Sequence, residues 1–187
     1  MSLSAVMWGL LAMLVFWAVG AYNRLVRLRG RSLLAFAVVD KQFGLQAGLL
    51  APPTHGQANP PPPASALSSD EEGQHNRWSG LVGAGRQLEA SLKSARIRPL
   101  DADSLNALRT AHETLILSWA RCRAEPPDLA GSPLPDDLSM KWDQLMVKTD
   151  MARADFNQIV ADYNAAISQI PACLLASLFD FKPTQAL

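Results

Sequence analysis

The sequence predicts an all-α protein, in which an N-terminal transmembrane helix continues into an antiparallel, up-and-down bundle of about four long helices. Three observations support this fold class. The stretch from Leu3 to Tyr22 is apolar and uncharged, and apolar residues recur at helical spacing in four later blocks. The alternating β-branched runs that are typical of strands do not occur in the sequence.

Residues 1–23 form the predicted transmembrane signal-anchor. About 20 apolar residues, each rising about 1.5 Å along a helix, cover the roughly 30 Å hydrocarbon core of a bilayer. A cleaved signal peptide starts with basic residues and has a shorter apolar stretch, whereas residues 1–20 contain no Lys or Arg. An uncleaved anchor is therefore favoured over the two alternatives, a signal peptide and a helix buried in a soluble core.

Four arginines follow the apolar stretch directly and predict its orientation. Lys and Arg near a span favour the cytoplasmic side of the membrane. The N-terminus is therefore expected outside and the domain in the cytoplasm, with the basic segment close to anionic lipid. The four residues are Arg24, Arg27, Arg29 and Arg31.

Residues 24–50 are predicted to be the first bundle helix, which ends before Pro52-Pro53. Within it, Leu33–Val39 is apolar nearly all round, which predicts burial on several sides. Residues 51–73 form a predicted proline-rich linker with four consecutive prolines, Pro60 to Pro63. It is interpreted as an insertion that joins two helices, with a proline-motif ligand as the alternative.

Residues 74–187 hold the remaining bundle helices and a C-terminal tail. The second helical block runs from about Gln74 to Ile97, and its glycines either weaken the helix or allow close packing. The third block starts at a cap region, Asp101 to Ser104, and is closed by Pro126-Pro127. The predicted apolar faces of these two blocks are Trp78, Leu81, Val82, Leu88, Leu92 and Ala95, and Leu105, Leu108, Leu115, Trp119 and Cys122.

The fourth block has the clearest pattern, a heptad seam of more than four repeats. It opens at Pro135-Asp136-Asp137, with acidic residues in the first turn, and ends at Pro171. Such a seam predicts long antiparallel partner helices. The tail after it is expected to pack back onto the bundle, with insertion into the membrane surface as the alternative. The seam comprises Leu138, Trp142, Leu145, Thr149, Ala152, Phe156, Ile159, Tyr163, Ala166 and Ile170.

Charge and cysteine content exclude some function classes. Lys+Arg and Asp+Glu are both 17, and this zero net charge argues against a nucleic-acid binder. Residues 125–162 are acidic, which indicates a solvated helix face or, alternatively, a docking surface for a basic partner. Cys122 and Cys173 match no metal or redox spacing and are interpreted as small buried hydrophobic residues.

Segments at both ends of the chain resemble the LemA family. Residues 21–29, AYNRLVRLR, are similar to the family's YNxLVxLR segment after the membrane helix, and residues 35–43 to its AW…IDVQL segment. Residues 152–183 resemble the family's ending with the AR..YN..V.DYN and LFGFKP motifs, and residues 125–129 its E.YPDL connection. The chain departs from the family by the proline-rich insertion and by Gly44-Leu45-Gln46 in place of a charged stretch. The resemblance implies a divergent member, a membrane-anchored helical bundle of bacterial origin with no established enzymatic activity.

Six polar residues are candidate interaction or structural positions. Tyr163 and Asn164 fall in the family-like motif together with Asp162, and they are expected to bond polar groups between helices, with ligand binding as the alternative. Asp155 and Asp162 belong to the acidic fourth helix, and Arg24 and Arg27 to the juxtamembrane segment. No catalytic, cofactor-binding or metal-binding residue is predicted. His112-Glu113 has Ile at position 116, where a zinc protease motif needs its second His.

The sequence therefore predicts a non-enzymatic structural or protein-interaction module at the bacterial inner membrane. The expected partners are the lipid bilayer and a membrane or cytoplasmic protein, with a second copy of the chain as a further candidate and no nucleic acid. Two alternatives are an adaptor or ligand-binding regulator of a membrane enzyme such as a protease, and a membrane-remodelling bundle.

The arginine pattern makes a direct prediction about topology. In right-side-out membrane vesicles, the domain after residue 24 should survive added protease, because it lies on the enclosed cytoplasmic side. Vesicles opened by detergent provide the control, since the domain should then be digested. Digestion in intact vesicles would contradict the predicted orientation.

Overall fold

The structure, a computed structural model, describes residues 3–51, 69–124 and 134–187. These residues form five helices and no strand, which confirms the predicted all-α class. The prolines at 52–53 and 60–63 and the 125–129 connection lie outside the described residues. The helices are α1 (Leu3–Leu49), α2 (Ser69–Ile97), α3 (Ala102–Arg123), α4 (Asp136–Ser168) and α5 (Ala172–Leu178).

Two boundaries show how closely the sequence signals locate the helix ends. Helix α3 begins where predicted, because the Asp101 side chain accepts hydrogen bonds from the backbone N–H and the hydroxyl of Ser104. These two bonds also hold the pKa of Asp101 below its ordinary value. Helix α2 begins at Ser69 rather than near Gln74, so the last part of the predicted linker is helical.

Helix α1 runs without a break from the apolar N-terminal stretch into the bundle. Among the described residues it is the single helix that is by itself long and apolar enough to cross a membrane. No residue of its most apolar window is buried by the rest of the chain. The N-terminal half of α1 therefore fits a membrane anchor, and the C-terminal half is a bundle helix.

Helix α1 packs antiparallel to α4. The rings of Phe36 and Phe156 meet edge to face at 6.2 Å, and Gln46 contacts Met146 further along α1. A step of ten residues up α1 therefore matches ten residues down α4. This antiparallel register places the C-terminal end of α4 beside the membrane-proximal part of α1.

Helix α2 reverses direction against α1, and α3 reverses again against α2. The ion pair of Asp40 with Arg96 joins α1 to the end of α2. In the middle of α2, Gly85 lies against Leu50, where an added Cβ would meet the leucine side chain at 3.5 Å, an ordinary van der Waals distance. A side chain would therefore fit at Gly85, and an added Cβ at Gly80 or Gly83 would meet no atom within 4 Å, so the packing does not require these glycines. The four long helices thus form the predicted up-and-down bundle.

Two clusters of buried side chains make up the core. The large one fills the bundle, and all five residues of the apolar face predicted for α3 are buried in it. Of the two free cysteines, Cys122 is buried there as expected, whereas Cys173 is only half-buried. The small cluster lies at the membrane end of the bundle and consists of Leu25, Tyr163, Ala166, Ile167, Ala176 and Phe181.

The heptad seam of α4 is confirmed in its middle and wrong at its end. Trp142, Thr149 and Phe156 are buried, but Ile170 is 87% exposed, whereas Ile167 is buried instead. An α-helix drifts by about 20° per heptad relative to a strict 3.5-residue repeat. The buried stripe therefore moves off the predicted positions over four repeats, and the helix itself ends at Ser168.

The burial expected on several sides of Leu33–Val39 is wrong. Leu34 is 73% exposed and Val38 is 52% exposed, whereas Phe36 and Val39 are buried. The reason is that α2, α3 and α4 cover one side of α1 and leave its other side open. An apolar surface of α1 consequently faces solvent.

The tail after α5 packs back onto the bundle, as the sequence analysis preferred. Phe181 and Leu187 are buried, one in each core cluster. Helix α5 itself is only partly covered, since Leu174 and Leu178 are each more than two-thirds exposed.

Candidate functional site

Two asparagines of α4 bind the main chain of the tail through paired hydrogen bonds. The Asn164 amide donates to the Thr184 carbonyl at 2.8 Å and accepts from the Thr184 N–H at 3.1 Å. Asn157 forms the same pair with Leu187, with both distances 2.8 Å. We call this arrangement the asparagine clamp.

The spacing of the clamp follows from helix and chain geometry. The two asparagines are seven residues apart, or about 10.5 Å along the helix axis. Thr184 and Leu187 are three residues apart, and three residues of nearly extended chain span about 10 Å. The two repeats match, so each amide meets the main-chain N–H and C=O of one residue in a tail that runs antiparallel to α4.

Tyr163 completes the attachment of the tail. Its hydroxyl donates to the Lys182 carbonyl at 3.0 Å, while its ring is buried in the small cluster. Burial raises the pKa of Tyr163, and the nearby positive charge of Arg29 partly opposes this. Arg29 also lies over the Phe181 ring, 5.9 Å from its centre. Tyr163 and Asn164 thus bond the main chain of the tail, whereas the sequence predicts bonds to polar groups between helices.

The remaining candidate residues lie apart from the clamp. Asp162 is exposed and accepts a hydrogen bond from Gln158 on its own helix. Arg24 and Arg27 are exposed on α1 directly after the apolar stretch. Asp155 is exposed at the junction of α1 and α4. The structure therefore brings together Tyr163 and Asn164 but none of the other four.

An open groove follows the junction of α1 and α4 on the outer side of the bundle. It contains two hollows of about 440 Å³ and 400 Å³. The α1 residues that line them recur at steps of three, four and seven, so they share one side of the helix. We call this surface the α1–α4 groove. Its main lining residues are Arg31, Leu34, Val38, Leu45 and Gly48 from α1, and Lys141, Leu145, Lys148, Asp155 and Ile159 from α4.

A buried polar group crosses the middle of the core. With Nε2 protonated, His112 of α3 donates to Gln46 Oε1 of α1 at 3.0 Å, and Gln46 Nε2 donates to the Met146 sulfur of α4 at 3.2 Å. The Phe43 ring stacks on the imidazole at 4.2 Å. Burial, with a smaller contribution from the positive charge of Arg153, lowers the pKa of His112 to about 4. His112 is therefore neutral near pH 7. The contacts from His112 through Gln46 to Met146 link α3, α1 and α4.

Three features of the structure were not predicted from the sequence. They are the contact of Asn157 with the tail, the α1–α4 groove and the buried polar group around His112. For Asn157 the sequence does hold a signal. Phe156-Asn157 and Tyr163-Asn164 are both an aromatic residue followed by Asn, and the two pairs are seven residues apart. The groove had none, since its leucines look like core residues. The partners of His112 lie on other helices, far away in the sequence.

Together, the uninterrupted α1 and the clamped tail define a helical bundle whose N-terminal helix fits a membrane anchor. A model of the LemA family matches residues 87–187, which include all of α3, α4 and α5 and the clamp. The chain therefore belongs to the LemA family. The resemblance noted at residues 21–43 lies outside the matched region and stays a prediction, as does the proline-rich insertion. No curated protein and no solved structure matches the chain.

We expect the side-chain amides of Asn157 and Asn164 to hold the tail in place. Replacing Asn164 by Leu keeps the volume but leaves the N–H and C=O of Thr184 without partners, which costs roughly 1–3 kcal/mol of stability. We expect faster hydrogen exchange at residues 182–187, measured by mass spectrometry. Asn106→Leu, at an exposed position of α3, is the matched control and should leave this exchange unchanged. Equal exchange in the Asn164 variant and the parent protein would contradict the clamp.

The His112 group predicts an acid-sensitive core. The unfolded chain takes up a proton at this imidazole below its ordinary pKa of 6.5, whereas the folded protein does so only near 4. Stability is therefore complete above about pH 6.5 and falls as the pH drops toward 4, by roughly 3 kcal/mol. The free energy of unfolding, measured in detergent across this range, should show a steeper fall for the parent protein than for His112→Gln. Parallel curves would show that His112 does not contribute.

Proposed function

We propose that this protein is a non-enzymatic interaction module, anchored in the bacterial inner membrane with its bundle on the cytoplasmic side. The partner is a helical segment of another membrane or cytoplasmic protein. The segment lies in the α1–α4 groove and extends the bundle by one helix. The observation that carries the proposal is the exposed apolar stripe of α1 in this groove.

The shape and composition of the groove support a helical partner. From Arg31 to Gly48 it extends about 25 Å along α1, the length of roughly five helical turns. Leu34, Val38 and Leu45 are each about half exposed or more. Apolar surface on the water-exposed side of a bundle is typical of interaction sites. An amphipathic helix is the element that binds in such a groove.

The charges along the groove specify the orientation of the partner. Lys141 and Lys148 line its membrane-distal end, and Lys41 lies exposed on the same stripe of α1. Asp155 and Arg31 line the membrane-proximal end. A partner helix with acidic residues at its membrane-distal end complements this pattern.

The position of the acidic residues of α4 does not favour a broad acidic docking surface. Asp137 pairs with Lys141 on the same helix at 2.7 Å, and Asp143 pairs with Arg123 of α3 at 2.9 Å. Asp155 is the acidic residue of α4 that lines the groove. The proposal therefore assigns specificity to Asp155 and the lysines rather than to the whole acidic stretch.

A non-enzymatic role is supported by the use of the polar side chains. Among the residues whose side chains the structure describes, the histidine is His112, which is 1% exposed and held neutral in the core. The asparagines of the family-like motif bind the tail of their own chain.

Site-specific crosslinking in cells tests the groove. A photo-reactive amino acid at Val38 or Leu45 of the full-length protein should yield one dominant adduct. The same amino acid at Arg109, exposed on α3, is the matched control and should not. The adduct should be lost with Leu34→Asp and weakened with Lys148→Glu, because these changes remove the apolar contact and the complementary charge.

The mass of the adduct decides between occupants. An adduct with a different protein that depends on Leu34 supports the proposal, and its identity separates a scaffold from an adaptor for a membrane enzyme. An adduct of twice the chain mass identifies the groove as a contact between copies and overturns the proposed partner. Equal yields at Val38 and Arg109 would show that the groove is not a docking site.

A further inference from the structure

The C-terminal end of α4, the turn after it and α5 form a long uncharged stretch at the membrane end of the bundle. No Asp, Glu, Lys or Arg occurs between Tyr163 and Phe179. Helices α4 and α5 meet at 97°, so α5 lies across the axis of α4. Asp162 and Asp180 flank the stretch in the sequence.

Part of this stretch is buried, and the rest presents an apolar surface. Ala166, Ile167 and Ala176 pack into the small cluster. The side chains that point away from the bundle are large and aliphatic or aromatic, which is unusual for residues in contact with water. They are Ile170 at 87% exposed, Leu174 at 69%, Leu178 at 75% and Phe179 at 50%.

This apolar surface is continuous with the predicted span. The turn residues Gln169 to Ala172 line a hollow of about 470 Å³ together with Phe16, Trp17 and Gly20 of α1. The Phe179 ring contacts the Tyr22 ring at 4.8 Å. The segment therefore touches α1 both at the end of the apolar stretch and within it.

The contacts with α1 specify a depth. Trp17 precedes Tyr22 by five residues, which is about 7.5 Å along the helix axis, and Phe16 lies about 9 Å below Tyr22. Interfacial amphipathic helices bury their apolar face about 5–10 Å into the boundary between headgroups and acyl chains. If Tyr22 marks the interface, Ile170 reaches the depth of the acyl chains and Phe179 stays at the headgroups.

We propose that Ile170, Leu174, Leu178 and Phe179 form a second membrane contact, which inserts into the same bilayer that α1 crosses. This inference rests on the membrane anchoring included in the proposed function. The bundle then attaches to the bilayer at two points, α1 and the α4–α5 turn, which prevents it from tilting freely about the end of the span. Arg24, exposed at the same level, is placed to meet lipid phosphates.

Quenching by spin-labelled lipids tests the contact in the full-length chain. In a background with Cys122→Ala and Cys173→Ser, single variants Leu174→Cys, Met13→Cys and Met140→Cys carry an environment-sensitive fluorophore. Met13 lies in the predicted span, and Met140 is an exposed apolar residue at the far end of α4. Each labelled protein is reconstituted in phosphatidylcholine vesicles that contain a nitroxide near the top of the acyl chains.

The expected result is loss of fluorescence at Leu174 and Met13 and no loss at Met140. Quenching at Met13 without quenching at Leu174 would overturn the second contact and leave the anchoring intact. Absence of quenching at Met13 would overturn the anchoring itself. Self-quenching of the Leu174 label that rises with labelled fraction, without lipid quenching, would identify the surface as a contact between copies and overturn the proposal.

Two further positions test the depth. The label at Ile170→Cys should be quenched more strongly by the acyl-chain nitroxide than by a headgroup nitroxide. The label at Phe179→Cys should show the opposite preference. Equal preferences at the two positions would contradict the insertion of the turn.

Discussion

The antiparallel pairing of α1 with α4 is the contact on which the rest of the molecule depends. Because α1 continues unbroken from the apolar N-terminal stretch, the helix that packs on it is fixed relative to that stretch. Buried residues lie at both ends of the pair, Leu25 with Tyr163 at one end and, at the other, Gln46, which contacts the partly buried Met146. Fully burying a large apolar side chain contributes about 1.5–3 kcal/mol, so the pairing is rigid over several turns. The direction of α4 then brings its C-terminal end and α5 beside the apolar N-terminal stretch of α1.

After α5 the tail runs back along α4, since this is the direction in which the bundle extends from α5. Its main-chain groups need hydrogen-bond partners where they are covered, and the helix backbone of α4 offers none because its own groups are already paired. Asn157 and Asn164 supply those partners at a spacing that matches the chain. The clamp also lets Phe181 and Leu187 close the two core clusters. A loop that would otherwise be loosely attached thus becomes part of the fold.

Periodicity was sufficient to predict the helices and most buried positions, but not the surfaces on which the proposals rest. The apolar face of α3 is buried in full, because each turn of that face meets a neighbouring helix. Leu34 and Val38 carry the same signal and are exposed, because spacing indicates which residues share a side of a helix and not whether a neighbour covers it. The clamp could be predicted only in part, since a hydrogen bond to a distant main-chain group leaves no periodic trace. The repeated aromatic–Asn pair at 156–157 and 163–164 was the one available signal.

The two exposed apolar surfaces are coupled through the same helix pair. The α1–α4 groove starts at Arg31 and Ile159, and the apolar surface of α5 follows beyond the C-terminal end of α4, on the same side as the apolar N-terminal stretch. A bilayer that holds α1 and the α4–α5 turn together stabilises the register between the two helices, because sliding one along the other would pull Ile170 away from Trp17. That register also aligns the two walls of the groove. The groove is therefore best formed when the chain is seated in a membrane, and a helical partner that requires both walls would bind the anchored protein in preference to one free in solution.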